Sequence, residues 1–286
     1  MSYGHWGKVL RVNLTTGAIT TEEMDEAFQR RYVGGWGFIA HYLLAELAPG
    51  IDPLGPENKL IWTTGPLTGQ AVAGGGRNII GGKSPLTGGF GAAEAGGFFA
   101  AEFKRAGFDT VIVEGVSPKP VYLWIKDGQA ELRDASHLWG RETADVEAAI
   151  REELGDKRIR VSQCGPAGEK MVRFANVIHD SCRAAGRTGL GAVMGSKRFR
   201  AIAVRGSKAP DVADPDKIRE MAHWMRDHYM ETGAAVFSTL GTMRMIRVNN
   251  GVGGLPTRNF RDGVFEGYEK ISAEVQMDTI TVDRDT

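Results

Sequence analysis

The sequence has only two cysteines, Cys164 and Cys182, and neither belongs to a Cys-x-x-Cys pair. That excludes a disulfide framework, and both are expected as buried or loop thiols rather than metal ligands. No run approaches the roughly 18 consecutive apolar residues that span a bilayer. The start, Met-Ser-Tyr-Gly-His-Trp-Gly-Lys, lacks the apolar segment of a secretory signal, so a cytoplasmic setting is expected. Net charge of either sign is also missing: 35 basic residues balance 35 acidic ones, which removes any global electrostatic argument for nucleic acid or an anionic membrane. There is no His-Glu-x-x-His and no Gly-x-Ser-x-Gly. His223 and His228, five apart on a predicted helix, point about 140° from each other and are poorly placed to share a metal.

Glycine, by contrast, is dense. From Gly65 to Gly97 there are 12 glycines in 33 residues, where average usage gives roughly two. Each loses more backbone entropy on folding than any other residue, so such density belongs where φ > 0 or close approach to another body is needed. The blocks Gly65-Pro66-Leu67-Thr68-Gly69 and Ser84-Pro85-Leu86-Thr87-Gly88 bracket Gly74-Gly75-Gly76-Arg77-Asn78. A second glycine-rich region holds Gly165-Pro166-Ala167-Gly168 and Arg183-Ala184-Ala185-Gly186-Arg187-Thr188-Gly189.

Lys8 to Leu14 alternates with period two and returns through Ala18 to Thr20, a hairpin. Phe38, Ile39, Tyr42, Leu43, Leu44 and Leu47 fall at helical spacing before Pro49-Gly50, a buried helix over Gly37 to Leu47. Strands are expected at Lys59 to Thr63, Asn78 to Ile80, Thr110 to Gly115, Val121 to Ile125, from Arg158 to Val161, and Ala201 to Val204. Helices are expected at Phe98 to Ala106, Glu142 to Leu154, Asp214 to Tyr229 and Thr242 to Val248. Without the regular long crossovers of a doubly wound sheet, this reads as α+β. Composition shifts near residue 208, giving an amino-terminal domain over 1–207 and the start of a helical one over 208–286. The tail from Gly251 ends at Ile280-Thr281-Val282-Asp283-Arg284-Asp285-Thr286 without a capping pattern, so the sequence reads as cut short or completed by another polypeptide.

Gly82-Lys83-Ser84 resembles the end of a phosphate-binding P-loop, but Arg77 replaces the required glycine and Pro85 stands where the helix should begin. Gly189-Leu190-Gly191-Ala192-Val193-Met194-Gly195 has one residue too many for a dinucleotide fingerprint and no β-branched strand before it. What remains is arginine embedded in glycine: Arg77, Arg183 and Arg187. Glycine lets amide N–H groups approach an oxyanion, and the guanidinium fork matches phosphate geometry. The alternative on the same residues is tight turns carrying solvent-exposed arginines.

The order of these blocks, with Trp6-Gly7-Lys8 through Gly17, Lys83 to Gly88, Gly96-Gly97-Phe98-Phe99 and Gly165 to Glu169, resembles the amino-terminal half of the tungsten-containing aldehyde:ferredoxin oxidoreductase family over nearly the whole chain. The resemblance implies two β-sheets related by a pseudo-twofold axis, carrying a tungsten bis-molybdopterin cofactor. It places pterin contacts at Arg77, Glu94, Gly96, Arg183, Ala184, Gly186 and Arg187, with Mg2+ on the main-chain carbonyls of Glu94 and Ala184. It sets Arg77 between a pterin and a 4Fe-4S cluster that serves electron transfer. One departure is Glu94-Ala95-Gly96, where relatives often have Asn-Ser-Gly. The cluster cysteines and the acid-base residues of the family fall beyond this sequence, so no catalytic residue and no 4Fe-4S ligand is expected within it. The implied activity is oxidation of an aldehyde to a carboxylate with ferredoxin as acceptor. The alternatives are a non-catalytic binding or assembly module, a split subunit, or a member acting on aromatic acyl-CoA.

Overall fold

The structure is a computed structural model that describes residues 3–280. It separates into two units, residues 1–218 and 219–286. Residues 281–286, where the sequence stops without a capping pattern, lie outside the described residues.

The first unit is one motif used twice. Its first half runs β1 (Lys8–Asn13), β2 (Ala18–Glu23), α1 (Glu26–Tyr32), α2 (Trp36–Glu46), β3 (Leu60–Thr63), β4 (Asn78–Lys83), β5 (Phe90–Ala95), α3 (Phe99–Arg105) and β6 (Thr110–Glu114). The second runs β7 (Val121–Lys126), β8 (Gln129–Asp134), α4 (Thr143–Leu154), β9 (Arg160–Cys164), α5 (Pro166–Glu169), β10 (Val177–His179), β11 (Arg183–Ala185), α6 (Leu190–Ser196) and β12 (Phe199–Arg205). Each half forms a six-stranded sheet, β2-β1-β6-β3-β4-β5 and β8-β7-β12-β9-β10-β11. In both, the first strand pairs parallel to the last, and every other pair is antiparallel. The two Gly-Pro blocks, at Gly65 and Gly165, occupy the same place in the repeat, directly after the third strand. This is the α+β architecture expected from the resemblance.

Period-two alternation explains the layering. Leu10, Val12, Trp62 and Val111 of the first sheet form one buried cluster with Leu123, Ile125, Ile202 and Val204 of the second. Trp62 reaches across, its ring edge-on to Phe199 and its Nε1 donating to Ser162 Oγ at 2.9 Å. The alternate residues Val9, Ile61 and Ile112 face outward onto Phe38, Ile39 and Tyr42 of α2. On the other side Tyr122, Val161 and Ala201 pack on Val146 and Ile150 of α4. Each such aliphatic side chain stabilises the fold by about 1.5–3 kcal/mol when fully buried.

Several elements lie outside the period-based expectations. The segment from Arg183 to Ala185, read as part of a glycine-rich loop, is an edge strand paired with β10. β5, β8, β10 and α1 were not expected; Asp25 starts α1 by accepting from Phe28 N at 2.7 Å. Lys83 and Ser84 lead from a strand into a turn, and Lys83 Nζ donates to Ile51 O at 2.6 Å, which is no P-loop context. Cys164 is buried and Cys182 exposed, as expected of a core and a loop thiol.

The repeat packs tightly where α5 meets α6: a Cβ at Gly195 would lie 1.9 Å from Gly168 O. Gly195→Ala is therefore expected to destabilise the fold by about 1–3 kcal/mol, the usual scale of overpacking, read as a lower urea midpoint. An unchanged midpoint would show that the two helices can part at no cost.

In the second unit the chain forms α8 (Ala235–Leu240), α9 (Met245–Gly251) and α10 (Ala273–Thr279), following α7 (Pro215–His228), which crosses the division between the units. Ser272 caps α10, its side chain accepting from Val275 N. No helix among the described residues is long and apolar enough to cross a membrane.

Candidate functional site

The terminal strands of the two sheets, β5 and β11, approach each other. Each is followed by a glycine-containing turn and a helix, α3 or α6. Between the strands lies a cleft of about 670 Å³, lined by Trp36, Arg77, Ala92, Ala93 and Glu94 from the first half and by Ala184, Gly186 and Arg187 from the second. Five of the seven residues expected at a cofactor site thus line one cavity. Gly96 and Arg183 are not part of that lining. Arg183 lies beside the Gly96-Gly97 turn: a Cβ at Gly97, whose φ is +102°, would meet Arg183 Cγ and Asp180 Oδ2, each at 3.0 Å. Gly96 itself faces open space.

The Pro-Leu-Thr-Gly blocks are the supports of the arginine loops. Thr68 Oγ1 accepts from Gly65 N at 3.0 Å and donates to Arg77 O at 3.3 Å, so the first block holds the Arg77 backbone. Ser84 Oγ accepts from Leu86 N and Thr87 N and donates to Thr188 O at 2.8 Å, so the second block holds the loop after Arg187. The first block is anchored in turn by Lys104, whose Nζ donates to Gly65 O at 3.2 Å.

Two contributors escaped the sequence reading. Trp36, at the start of α2, donates from Nε1 to Glu94 Oε1 at 2.9 Å and stacks on Phe90 with ring centres 6.0 Å apart. Asp180, with φ +48°, accepts from Phe98 N at 2.9 Å and Phe99 N at 3.1 Å, which fixes the turn before α3 from the other half of the repeat. A Gly-Gly turn directly before a helix was a visible signal for a borrowed cap; the accepting carboxylate lies 82 residues from Phe98.

The electrostatics of the cleft are unequal. Arg183 and Arg187 have no carboxylate partner among the described residues, whereas Arg77 lies 3.5 Å, Nη1 to Oε2, from Glu94. Both side chains of that pair are well exposed, so it adds little stability. Guanidiniums without counterions at a glycine-lined edge suit a ligand with phosphate groups. No group of three or more His, Cys, Asp or Glu among the described residues could hold a metal alone. Cys164 is unsuited to metal binding: burial pushes its thiol up to about 12, and its Sγ lies 3.8 Å from Phe199 O.

Known proteins share this fold. The family model "Aldehyde ferredoxin oxidoreductase, N-terminal domain" matches residues 9–206, and "Aldehyde ferredoxin oxidoreductase, domains 2 & 3" matches 217–286. The chain is 48% identical over 273 residues to the tungsten-containing aldehyde ferredoxin oxidoreductase of Thermococcus kodakarensis, covering 94% of this chain and 45% of that protein. It is 34% identical over 233 residues to an aliphatic sulfonate oxidoreductase, WOR-like subunit, of Pyrococcus furiosus, covering 76% and 37%. The solved BamBC active-site complex of benzoyl coenzyme A reductase, with 1,5-dienoyl-CoA, superposes with a TM-score of 0.80 at 33% identity, over 97% of this chain and 44% of that one. The chain thus spans less than half the length of these relatives. With its repeated sheets, its arginine-bearing turns and its sequence identity all in agreement, the chain belongs to the aldehyde ferredoxin oxidoreductase family.

Proposed function

We propose that residues 1–207 are the platform for a tungsten bis-molybdopterin cofactor, and that 208–286 begin the helical, cluster-bearing part of an enzyme that oxidises aldehydes to carboxylates with ferredoxin as acceptor in the cytoplasm. The observation that carries this reading is the convergence of Arg77 and Arg187 with Glu94, Ala184 and Gly186 on one cleft between the sheet edges. Arg77, Arg183 and Arg187 would hold phosphate oxygens. Gly96 and Gly186 leave the backbone open to close approach, and the main-chain carbonyls of Glu94 and Ala184 would serve Mg2+. When bound, the metal centre supplies the two-electron redox chemistry. This chain's part is to bind and orient that group; a 4Fe-4S cluster would take its ligands from residues outside this sequence, and a second polypeptide or carboxy-terminal portion would supply the substrate pocket.

The likeness to the benzoyl coenzyme A reductase complex supports a second reading, a platform serving an aromatic acyl-CoA reaction. Protein purified without oxygen from a host that makes the pterin is expected to carry stoichiometric tungsten with magnesium by elemental analysis. Folded protein without tungsten overturns the platform reading. Aldehyde-dependent ferredoxin reduction, set against dienoyl-CoA turnover, separates the two substrates.

A further inference from the structure

Glu94 is the only carboxylate among the described residues that line the cleft. It is held from two sides, by Trp36 Nε1 at 2.9 Å on Oε1 and by Arg77 Nη1 at 3.5 Å from Oε2. In this arrangement it opposes what the cleft is built for. It neutralises one of the two lining guanidiniums, and it would repel an incoming phosphate. A carboxylate and phosphates are reconciled by a divalent cation between them: Mg2+ is commonly held by one or two carboxylates plus the phosphates of a ligand, rather than by an all-protein cage.

We propose that the Glu94 side chain makes phosphate binding in this cleft conditional on a divalent cation. Without the cation, Glu94 occupies Arg77 and repels the ligand. With it, the carboxylate turns to the cation and releases Arg77 to a phosphate oxygen. This rests on the phosphate reading of the cleft, and it concerns the side chain, whereas the reading above uses only the Glu94 carbonyl.

The test is calorimetric titration of this chain with pyrophosphate, with Mg2+ and with a chelator. The wild type is expected to bind at least about tenfold more tightly with Mg2+, a difference within easy calorimetric reach. In Glu94→Gln, metal-free binding should strengthen and the gain from Mg2+ should shrink to about twofold or less. Charge reduction of pyrophosphate by Mg2+ is common to both proteins, so the comparison isolates the carboxylate. Glu94→Asn, matched in melting temperature, serves as a second variant and should behave like Glu94→Gln. An undiminished Mg2+ gain in both variants overturns this proposal and leaves the platform reading intact. No pyrophosphate binding by the wild type under either condition overturns both.

Discussion

Asp109→Asn is expected to lower stability by about 3–5 kcal/mol, the usual loss when one partner of a buried ion pair is removed. Asp109 and Lys104 are almost fully buried, with side chains 0% and 1% exposed, and their charged ends are in direct contact. The carboxylate also accepts from Gly7 N at 2.7 Å, Trp6 N at 3.2 Å and Lys8 N at 3.3 Å. An asparagine can satisfy part of that set, but it leaves the Lys104 ammonium buried without a counterion. Urea unfolding measures the loss; a change below about 1 kcal/mol, the scale of exposed pairs, would show that water reaches the site. The pH dependence follows with a definite sign. Burial pushes the Asp109 carboxyl up, but Lys104 and His5 outweigh it and hold the group at about 2. Its folded value lies below the unfolded value of about 3.9, so its stabilisation is present above that pH and is lost as pH falls toward 2. The acid transition of wild type should therefore steepen in this window, and Asp109→Asn should flatten it. Because Lys104 also donates to Gly65 O, the same variant is expected to loosen the first Pro-Leu-Thr-Gly block and, through Thr68, the Arg77 loop.

Arg187→Ala and Arg77→Ala should each weaken binding of the magnesium-pyrophosphate complex by roughly 10- to 150-fold, which corresponds to about 1.5–3 kcal/mol for a hydrogen bond to a charged group. The two are not equivalent. Arg187 has no carboxylate partner among the described residues, so its loss is expected to remove attraction alone. Arg77 is paired with Glu94 and is free to hold a phosphate only when a cation takes that carboxylate. Arg77→Ala is therefore expected to do more damage in Mg2+ than in chelator, while Arg187→Ala should affect both alike. Lysine at either position should recover part of the affinity, since it restores charge without the planar fork. Tungsten content of protein made in a pterin-producing host should fall in the same order. Retention of full tungsten by both alanine variants would count against a phosphate-holding role for these residues.

What could be read from the residues alone followed the length and chemistry of each element. β1, β6, β7 and β12 are β-branched and alternating, and α2, α3 and α4 keep helical spacing, so their periods survive in the sequence. β5, Phe-Gly-Ala-Ala-Glu-Ala, has no β-branched residue, and β10 and β11 are three residues each, shorter than a strand period can reveal. β5 and β11 supply the facing edges of the cleft, so the site was the least legible part of the fold. Arg77, Arg183 and Arg187 stood out because arginine amid glycine is conspicuous. Glu94, Gly96, Ala184 and Gly186 came from the family resemblance, because nothing in a run of alanine and glycine marks an edge facing a ligand. Trp36 was hidden for another reason: its partner is 58 residues away, and only the pairing of α2 against β5 brings them together.

The repeated architecture has a consequence for handedness of docking. A frame with two like halves offers a ligand with two like arms two seatings, related by a half-turn, and nothing in the sheets themselves distinguishes them. Here the halves carry different side chains at matching edges: β5 presents a carboxylate bridged to Trp36 and Arg77, while β11 leads to guanidiniums with no such brake. The one acidic group among the described lining residues would give the cleft a front and a back, so that the two arms of a ligand seated there would meet different surroundings.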